Sequence, residues 1–554
     1  MSISRRTVLR SAVAGSALAA AGGLGTAFAQ AAGAASAPGD VVGKVTVGYQ
    51  GWFACIGDGA PINAWWHWSQ NNSQPPSPSN NSTLRAWPDM REYPRGYQTA
   101  YANLGNGQPA TLFSHWDQTT VSLHFLWMQQ NGIDTAALQR FNPNGSEGPT
   151  RDGVTTRVRS AAEAYGRKFY VMYDVSGWTN MQSEIKTDWT SKMSAHTASS
   201  AYARQNGKPV VCIWGFGFND ANHNFTAAAC LDVINWFKGQ GCYVIGGVPT
   251  HWLAGNSDSR AGFLDVYHAF NMLSPWMVGR IGTAADSDNF YTSVNVPDQA
   301  DCNAHGVDYQ PCVLPGDVSA RQRKHGDFMW RQFYNMIRVG AQGIYISMFD
   351  EFNEGNQIVK TAESQSFVPT NSGLLGLDED GTACSSDYYL RLTGDGGRML
   401  KGQIALTATR PTQPVVSGGG GPTTGVISLR SRANNLYVSA DNAGASALIA
   451  NRTAAGTWET FDLVDAGGGN VALRAHANNL YVCADNAGAS ALIANRTATG
   501  TWESFQLVHN ADGTASLRSR ANNLYVCADN AGASALIANR TAIGPWESFD
   551  LITQ

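Results

Sequence analysis

The feature that most constrains this chain is a threefold internal repeat at its C-terminal end. Segments Ala447–Thr460, Ala491–Ser504 and Ala535–Ser548 all read ALIANRTA-x-G-x-WE followed by Thr or Ser, at a period of 44 residues. Each repeat also carries NNLYV-x-ADNAGAS, with Ser439, Cys483 and Cys527 at the equivalent position. The units are short and β-rich, with turn residues between the apolar runs. One such unit cannot bury its own apolar stripe, but three around an axis can, so a closed threefold β structure is expected. Trp458, Trp502 and Trp546 recur at one position per repeat and are expected to be pins of its core.

Upstream of the repeats, residues 409–425 read TRPTQPVVSGGGGPTTG, a composition that builds no core and behaves as a flexible linker. Before it, β-rich runs alternate with amphipathic stretches. The runs are Val45–Gln50, Thr135–Arg140, Phe169–Tyr173, Val210–Trp214, Cys242–Gly246, Val266–Phe270, a segment near Val307–Val313, and Gly343–Phe349. Thr155–Tyr165, Thr226–Gln240 and Asp327–Val339 have helical spacing. Eight such alternations predict an α/β fold, a (β/α)8 TIM-type barrel, followed by the all-β repeat domain. The chain then divides into a signal (1–29), a catalytic barrel (30–408), the linker (409–425) and the repeats (426–554).

In such a barrel, chemistry collects at the C-terminal ends of the strands. The last run ends in Asp350-Glu351-Phe352-Asn353-Glu354-Gly355. Glu351 and Glu354 are three apart, which in a turn brings their Cβ atoms to roughly 5–6 Å. Two carboxyls at about that spacing suit retaining cleavage of a glycosidic bond, with one of them kept protonated by burial and repulsion. The same spacing also suits acids that merely cap a helix. Candidate substrate contacts at other strand ends are Gln139, Arg140, Asp174, Trp214, His251 and Trp252, with Trp65, Trp66 and His67 after the first strand.

A family resemblance sharpens this reading. Trp127-Met128, Gly132-Ile133-Asp134, Gln139-Arg140-Phe141, Tyr173-Asp174-Val175-Ser176-Gly177, Trp214-Gly215-Phe216-Gly217 and Gly246-Gly247-Val248-Pro249 occur in the order seen in glycoside hydrolase family 99. The segment Asp350–Asn356 resembles that family's Asn-Glu-Trp-His-Glu-Gly-Thr motif, with both glutamates and the glycine kept. The resemblance implies a retaining endo-acting α-mannosidase-like enzyme that needs no metal or other cofactor. Glu354 would be the general acid/base, and Glu351 would deprotonate the sugar 2-hydroxyl. Asp350, Phe352, Asn353 and Asn356 depart from the motif, which leaves α-glucan, arabinan or xylan open as substrates. The repeats resemble the fascin-like β-trefoil modules appended to secreted bacterial glycosidases. They lack a Gln-x-Trp lectin signature.

Composition fits a sugar-handling protein better than its rivals. Only 14% of residues are charged and the formal net charge is −4, whereas nucleic-acid binding draws on an excess of Lys and Arg. Trp, Tyr and Phe number 17, 19 and 21, which suits flat neutral ligands. Arg5-Arg6 before an apolar, small-residue stretch, with Ala27-Phe28-Ala29 ahead of Gln30, reads as a cleaved twin-arginine export signal. A secreted, membrane-free monomer acting on a polysaccharide is therefore expected. The rival is a non-catalytic carbohydrate-binding or adhesion protein on a barrel scaffold. Nine cysteines leave at least one unpaired, with Cys302–Cys312 the expected disulfide. His67, His115, His124, His251, His268 and His325 are too scattered along the sequence for a metal reading.

Overall fold

The computed structural model describes residues 36–415, 425–467, 470–510 and 514–553. The expected export signal and the Gly-rich centre of the linker, 416–424, lie outside the described residues.

Nine parallel strands form one curled sheet: β1 (Val45–Tyr49), β2 (Thr135–Arg140), β3 (Lys168–Asp174), β4 (Lys208–Trp214), β5 (Tyr243–Val248), β6 (Met272–Pro275), β7 (Asp308–Tyr309), β8 (Cys312–Val313) and β9 (Ile344–Ile346). Their order is β7-β6-β5-β4-β3-β2-β1-β9-β8. The two ends of this path, β7 and β8, are separated in the chain by Gln310 and Pro311 alone. Helices Gln118–Gln130, Gly148–Ala164, Ala227–Gly239 and Asp327–Val339 alternate with the strands, the arrangement of a TIM-like domain. Every residue of β1, β2 and β5 is buried, which is why these strands read as apolar runs rather than as alternating ones. Inside the sheet, space is tight at Gly48, where a Cβ would lie 2.2 Å from Tyr345 Oη and 2.3 Å from Met348 Sδ.

One strand was misplaced by the sequence pattern. Val266–Phe270 was expected to be the sixth strand, but Leu264–His268 is helical and the strand is Met272–Pro275. Val266 and Tyr267 point their apolar bulk into the core from a helix, so a β-branched and aromatic run mimicked a strand. The first part of the expected linker is also held in place. Ser385 N donates to Pro414 O at 3.0 Å, Arg410 Nε reaches Asp327 Oδ1 at 2.9 Å, and Thr412 is buried. The expected Cys302–Cys312 disulfide is absent, because all nine cysteines are free and buried. Among the described residues no helix is long and apolar enough to cross a membrane.

The repeats build a second hydrophobic cluster, from Ile427 to Phe549, entirely of antiparallel strands. Gly425–Ser431, Phe461–Gly467, Asn470–Ala475, Phe505–His509, Ala515–Ser519 and Phe549–Thr553 pair in a closed ring of six. Three hairpins cap it, one per repeat. The expected role of the tryptophans is corrected here. Trp458, Trp502 and Trp546 are 37–38% exposed, while Phe461, Phe505 and Phe549, three residues on, are buried core pins. The Glu between them fixes the turn, taking the Gly456, Gly500 and Gly544 N–H at 2.9 Å each, which leaves Trp outside and Phe inside.

Consecutive repeats lock at one glycine each. Gly444, Gly488 and Gly532 have φ near +83°, and a Cβ on them would meet the amide of Asn478, Asn522 and Asn434 at 2.2–2.3 Å. The last contact joins repeat three back to repeat one. Gly488→Ala meets both a left-handed backbone and a clash. It should cost at least about 1–2 kcal/mol, read as a lower denaturant midpoint at an unchanged slope.

Candidate active site

The C-terminal ends of β1 and β9 are tied together by Asp350, which is fully buried. Its Oδ1 accepts from Gln50 N at 2.7 Å and its Oδ2 from Gly51 N at 2.9 Å. His115, equally buried, takes the Phe53 N–H on Nδ1 at 3.1 Å. Its Nε2 lies 3.0 Å from Asp350 Oδ2, outside hydrogen-bond geometry, so the donors to Asp350 are the two backbone N–H groups. A buried acceptor-only group needs such donors to offset its desolvation. The Asp350 side chain thereby fixes where the next residue, Glu351, can point.

Glu351 is 2% exposed. Gln50 Nε2 donates to its Oε2 at 2.7 Å, and Asn353 N donates to its Oε1 at 2.9 Å. Burial, then the charges of Glu354 and Asp350, push its carboxyl well above the usual value, and the two N–H donors only partly counter this. Glu354 is exposed to solvent. Desolvation by its surroundings raises it too, with Arg85 pulling down and Asp317 pushing up. Arg85 and Asp317 are themselves paired at 2.6 Å. Two carboxyls thus share one short turn, one sealed in by donors and the other open to a ligand.

The residues between and after them hold the turn. Phe352 is buried against Phe53, Trp68 and Phe113, with ring centroids at 5.9–6.1 Å. Asn353 Nδ2 donates to His67 O at 3.0 Å and also reaches Ser82 O. Gly355, at φ +71°, lies where a Cβ would come within 2.4 Å of Asp317 Oδ1. Arg323, buried, donates to Gly355 O at 2.8 Å and Gln357 O at 2.6 Å. His67 stacks on Trp52 at 3.8 Å, and Trp52 on Phe141 at 5.6 Å, which makes a partly exposed aromatic column after β1. Burial and Arg151 hold the His67 imidazole well below its usual value, so it is neutral at neutral pH.

Similarity to known proteins is partial. No protein-family model and no curated protein matches the chain. Among solved structures, the GH99 endo-alpha-mannosidase from Bacteroides thetaiotaomicron in complex with BIS-TRIS-propane overlaps at a TM-score of 0.47 and 15% identity. That overlap covers 66% of this chain and 98% of the other. A second structure of that enzyme gives 0.47 and 14%, covering 65% and 98%. The designed threefold-symmetric protein ThreeFoil overlaps at 0.22 and 22%, covering 23% of this chain and 99% of its own.

The other expected contacts divide into two groups. Asp174, Trp214 and His251 are partly exposed at the ends of β3, β4 and β5. Asp174 accepts from Ser176 N at 2.9 Å and Oγ at 2.6 Å, and burial raises its carboxyl. Ser176 Oγ continues to His223 Nε2 at 2.8 Å, and His223 Nδ1 to Asp220 at 2.8 Å. His251 Nδ1 is held by Asp258 at 2.9 Å. Trp66 Nε1 donates to Glu147 at 3.1 Å, and Gln139 is buried against Met348 Sδ at 3.9 Å. Arg140, Trp65 and Trp252, like Gln139, are buried rather than exposed at the strand ends. Arg140 alternates outward from Gln139 and is sealed against Asp188 and Asp152. Trp65 and Trp252 are 5% and 0% exposed. The histidines are also less scattered than their spacing suggested. His268 and His305 meet Asp301, their ligand atoms within 4.8 Å of one another, and His115 lies beside His124.

Sequence reasoning missed Gln50, Trp52, His115 and Asp350. Gln50-Gly51-Trp52 directly follows the first strand, which was the available signal. His115 lies in a loop with none. The raised Glu351 carboxyl has a stability consequence. The folded protein retains a proton that the unfolded chain releases above about 4.5, so stability falls as pH rises from there through the folded value. Glu351→Gln removes that loss. Its melting temperature should exceed the parent's above pH 5, by up to about 1.4 kcal/mol of stability per pH unit of the window, and match it near pH 4.

Proposed function

We propose that the protein is a secreted retaining endo-glycosidase acting on an α-linked, mannan-type polysaccharide. The observation that carries this reading is the unequal environment of Glu351 and Glu354 on one turn at the C-terminal mouth of the parallel sheet. Glu354, open and raised, donates its proton to the departing glycosidic oxygen. In its ionised form Glu351, held by Gln50 and Asn353, takes the proton of the sugar 2-hydroxyl, so turnover rises with pH as this raised carboxyl loses its proton. The freed oxygen closes on the anomeric carbon as the glycosidic bond breaks. Water, losing a proton to Glu354, then opens the resulting epoxide-like ring, and Glu351 returns its proton to the 2-oxygen. Configuration is retained after two inversions. The choice of an α-mannosidic bond rests on the sequence motifs, and the roles of the two acids follow the same resemblance together with their burial.

Neutral His67 on its Trp52 stack supplies a ring face and a hydroxyl partner, and Asp174, Trp214 and His251 line the farther strand ends. In this reading residues 1–29 export the chain by the twin-arginine route, and residues 30–408 fold as a closed (β/α)8 barrel. Residues 426–554 form a β-trefoil that tethers the enzyme to polysaccharide. The ring of six strands with three hairpin caps supports the trefoil, and the short separation of β7 and β8 supports the closed barrel. A binding-only barrel would have no use for a buried, raised carboxyl such as Glu351.

The test is turnover of α-mannan, α-glucan, arabinan and xylan with product sizing. Glu354→Gln should lower turnover of the preferred glycan by roughly 10²–10⁴ with binding nearly intact. Near-parental turnover in that variant would remove Glu354 from the role of acid.

A further inference from the structure

The three repeats differ at one position that decides the charge of a surface cleft. In repeats one and three, Phe461 and Phe549 are followed by Asp462 and Asp550, whereas Phe505 is followed by Gln506. Asp462 faces Arg474 across the strands and takes its Nε at 3.0 Å and Nη2 at 2.7 Å, with His476 Nε2 at 2.7 Å. Asp550 likewise holds Arg430 at 3.1 Å and Arg432 Nε at 2.8 Å. At the middle junction Gln506 sits opposite Arg518 in the same register. Arg518 turns instead to Asn523 O at 2.7 Å, over the Tyr525 ring. Arg520, the counterpart of His476 and Arg432, is exposed, and no carboxylate among the described residues pairs with it.

A cleft of about 350 Å³ opens at this junction, lined by Thr499, Thr501, Ser504, Asn470 and Arg520. Ser504 Oγ donates to Gly500 O at 2.7 Å and keeps its lone pairs for an outside donor. Trp502, 38% exposed, stands on the same turn. A guanidinium that no carboxylate of the described residues pairs with, on a cleft lined by hydroxyls, is matched by a sugar that carries its own carboxylate. At the other two junctions Asp462 and Asp550 would repel that group.

We infer that the middle junction binds a uronic acid residue, one site per chain, through Arg520. The inference rests on the reading of the repeats as a polysaccharide tether and deepens it. The carboxylate of the sugar replaces the aspartate missing at 506, so the selectivity comes from an internal vacancy in the threefold charge pattern. Binding should weaken with salt, because an exposed pair is screened.

The test is calorimetric titration of the full chain with tetragalacturonate, and with mannotetraose as the uncharged control. Tetragalacturonate should bind at one equivalent, and both Arg520→Gln and Gln506→Asp should weaken it tenfold or more. Gln506→Asp introduces the residue native at 462 and 550, so an unchanged melting temperature will show the fold intact. Failure of tetragalacturonate to bind, binding at three equal sites, or unaltered affinity in either variant would overturn the inference. Mannotetraose bound alike by parent and both variants, with no response to tetragalacturonate, would remove the inference while leaving the tether reading in place.

Discussion

The turn that carries Glu351 and Glu354 depends on one buried carboxyl, that of Asp350. It collects the Gln50 and Gly51 N–H groups beside the buried His115 ring, and so staples the end of the last strand to the end of the first. The same Gln50 that gives its backbone N–H to Asp350 gives its side-chain amide to Glu351. Removing Asp350 would therefore loosen the two strand ends and the base together, whereas removing Glu351 leaves the strand ends joined. In this sense Asp350 positions the turn that carries Glu351 and Glu354, the two groups to which the proposed function gives the chemistry.

The turn that follows turns small sequence differences into a difference in acidity. Phe352 is drawn into an aromatic core and Asn353 into the loop carrying His67, so the chain between the two glutamates is pinned at both residues. Glu351 falls inward, where burial raises it, and Glu354 remains outside beside the Arg85–Asp317 pair. A pair that cannot both be charged cheaply is what a proton-donating and proton-accepting couple needs.

Much of this was legible in the sequence because the information was local. Asp327–Val339 was read to the residue from its helical period, and seven of the eight expected runs coincide with strands, the one near Val307–Val313 holding two, β7 and β8. Val266–Phe270 failed because a buried five-residue helix and a buried strand share the same apolar signature. The glutamate pair was found by spacing, but Arg140 and Trp252 were drawn in by position alone, and strand alternation and burial turned them away from the mouth. His115 and Asp350 meet across more than two hundred residues, a contact no local pattern encodes. The tryptophans of the repeats misled for a related reason. Their strict period suggested a core, while the capping glutamate decides that the phenylalanine goes inside.

The central claim is that the two glutamates work as a base and an acid in a double displacement. The most direct measurement is proton NMR of the first-formed reducing end while the protein cleaves an α-mannan-type oligosaccharide, before mutarotation. The account predicts that the α anomer appears first and the β anomer only later, as the two equilibrate. A first-formed β anomer would mean a single inversion with water as the direct nucleophile, and would contradict the role given to Glu351.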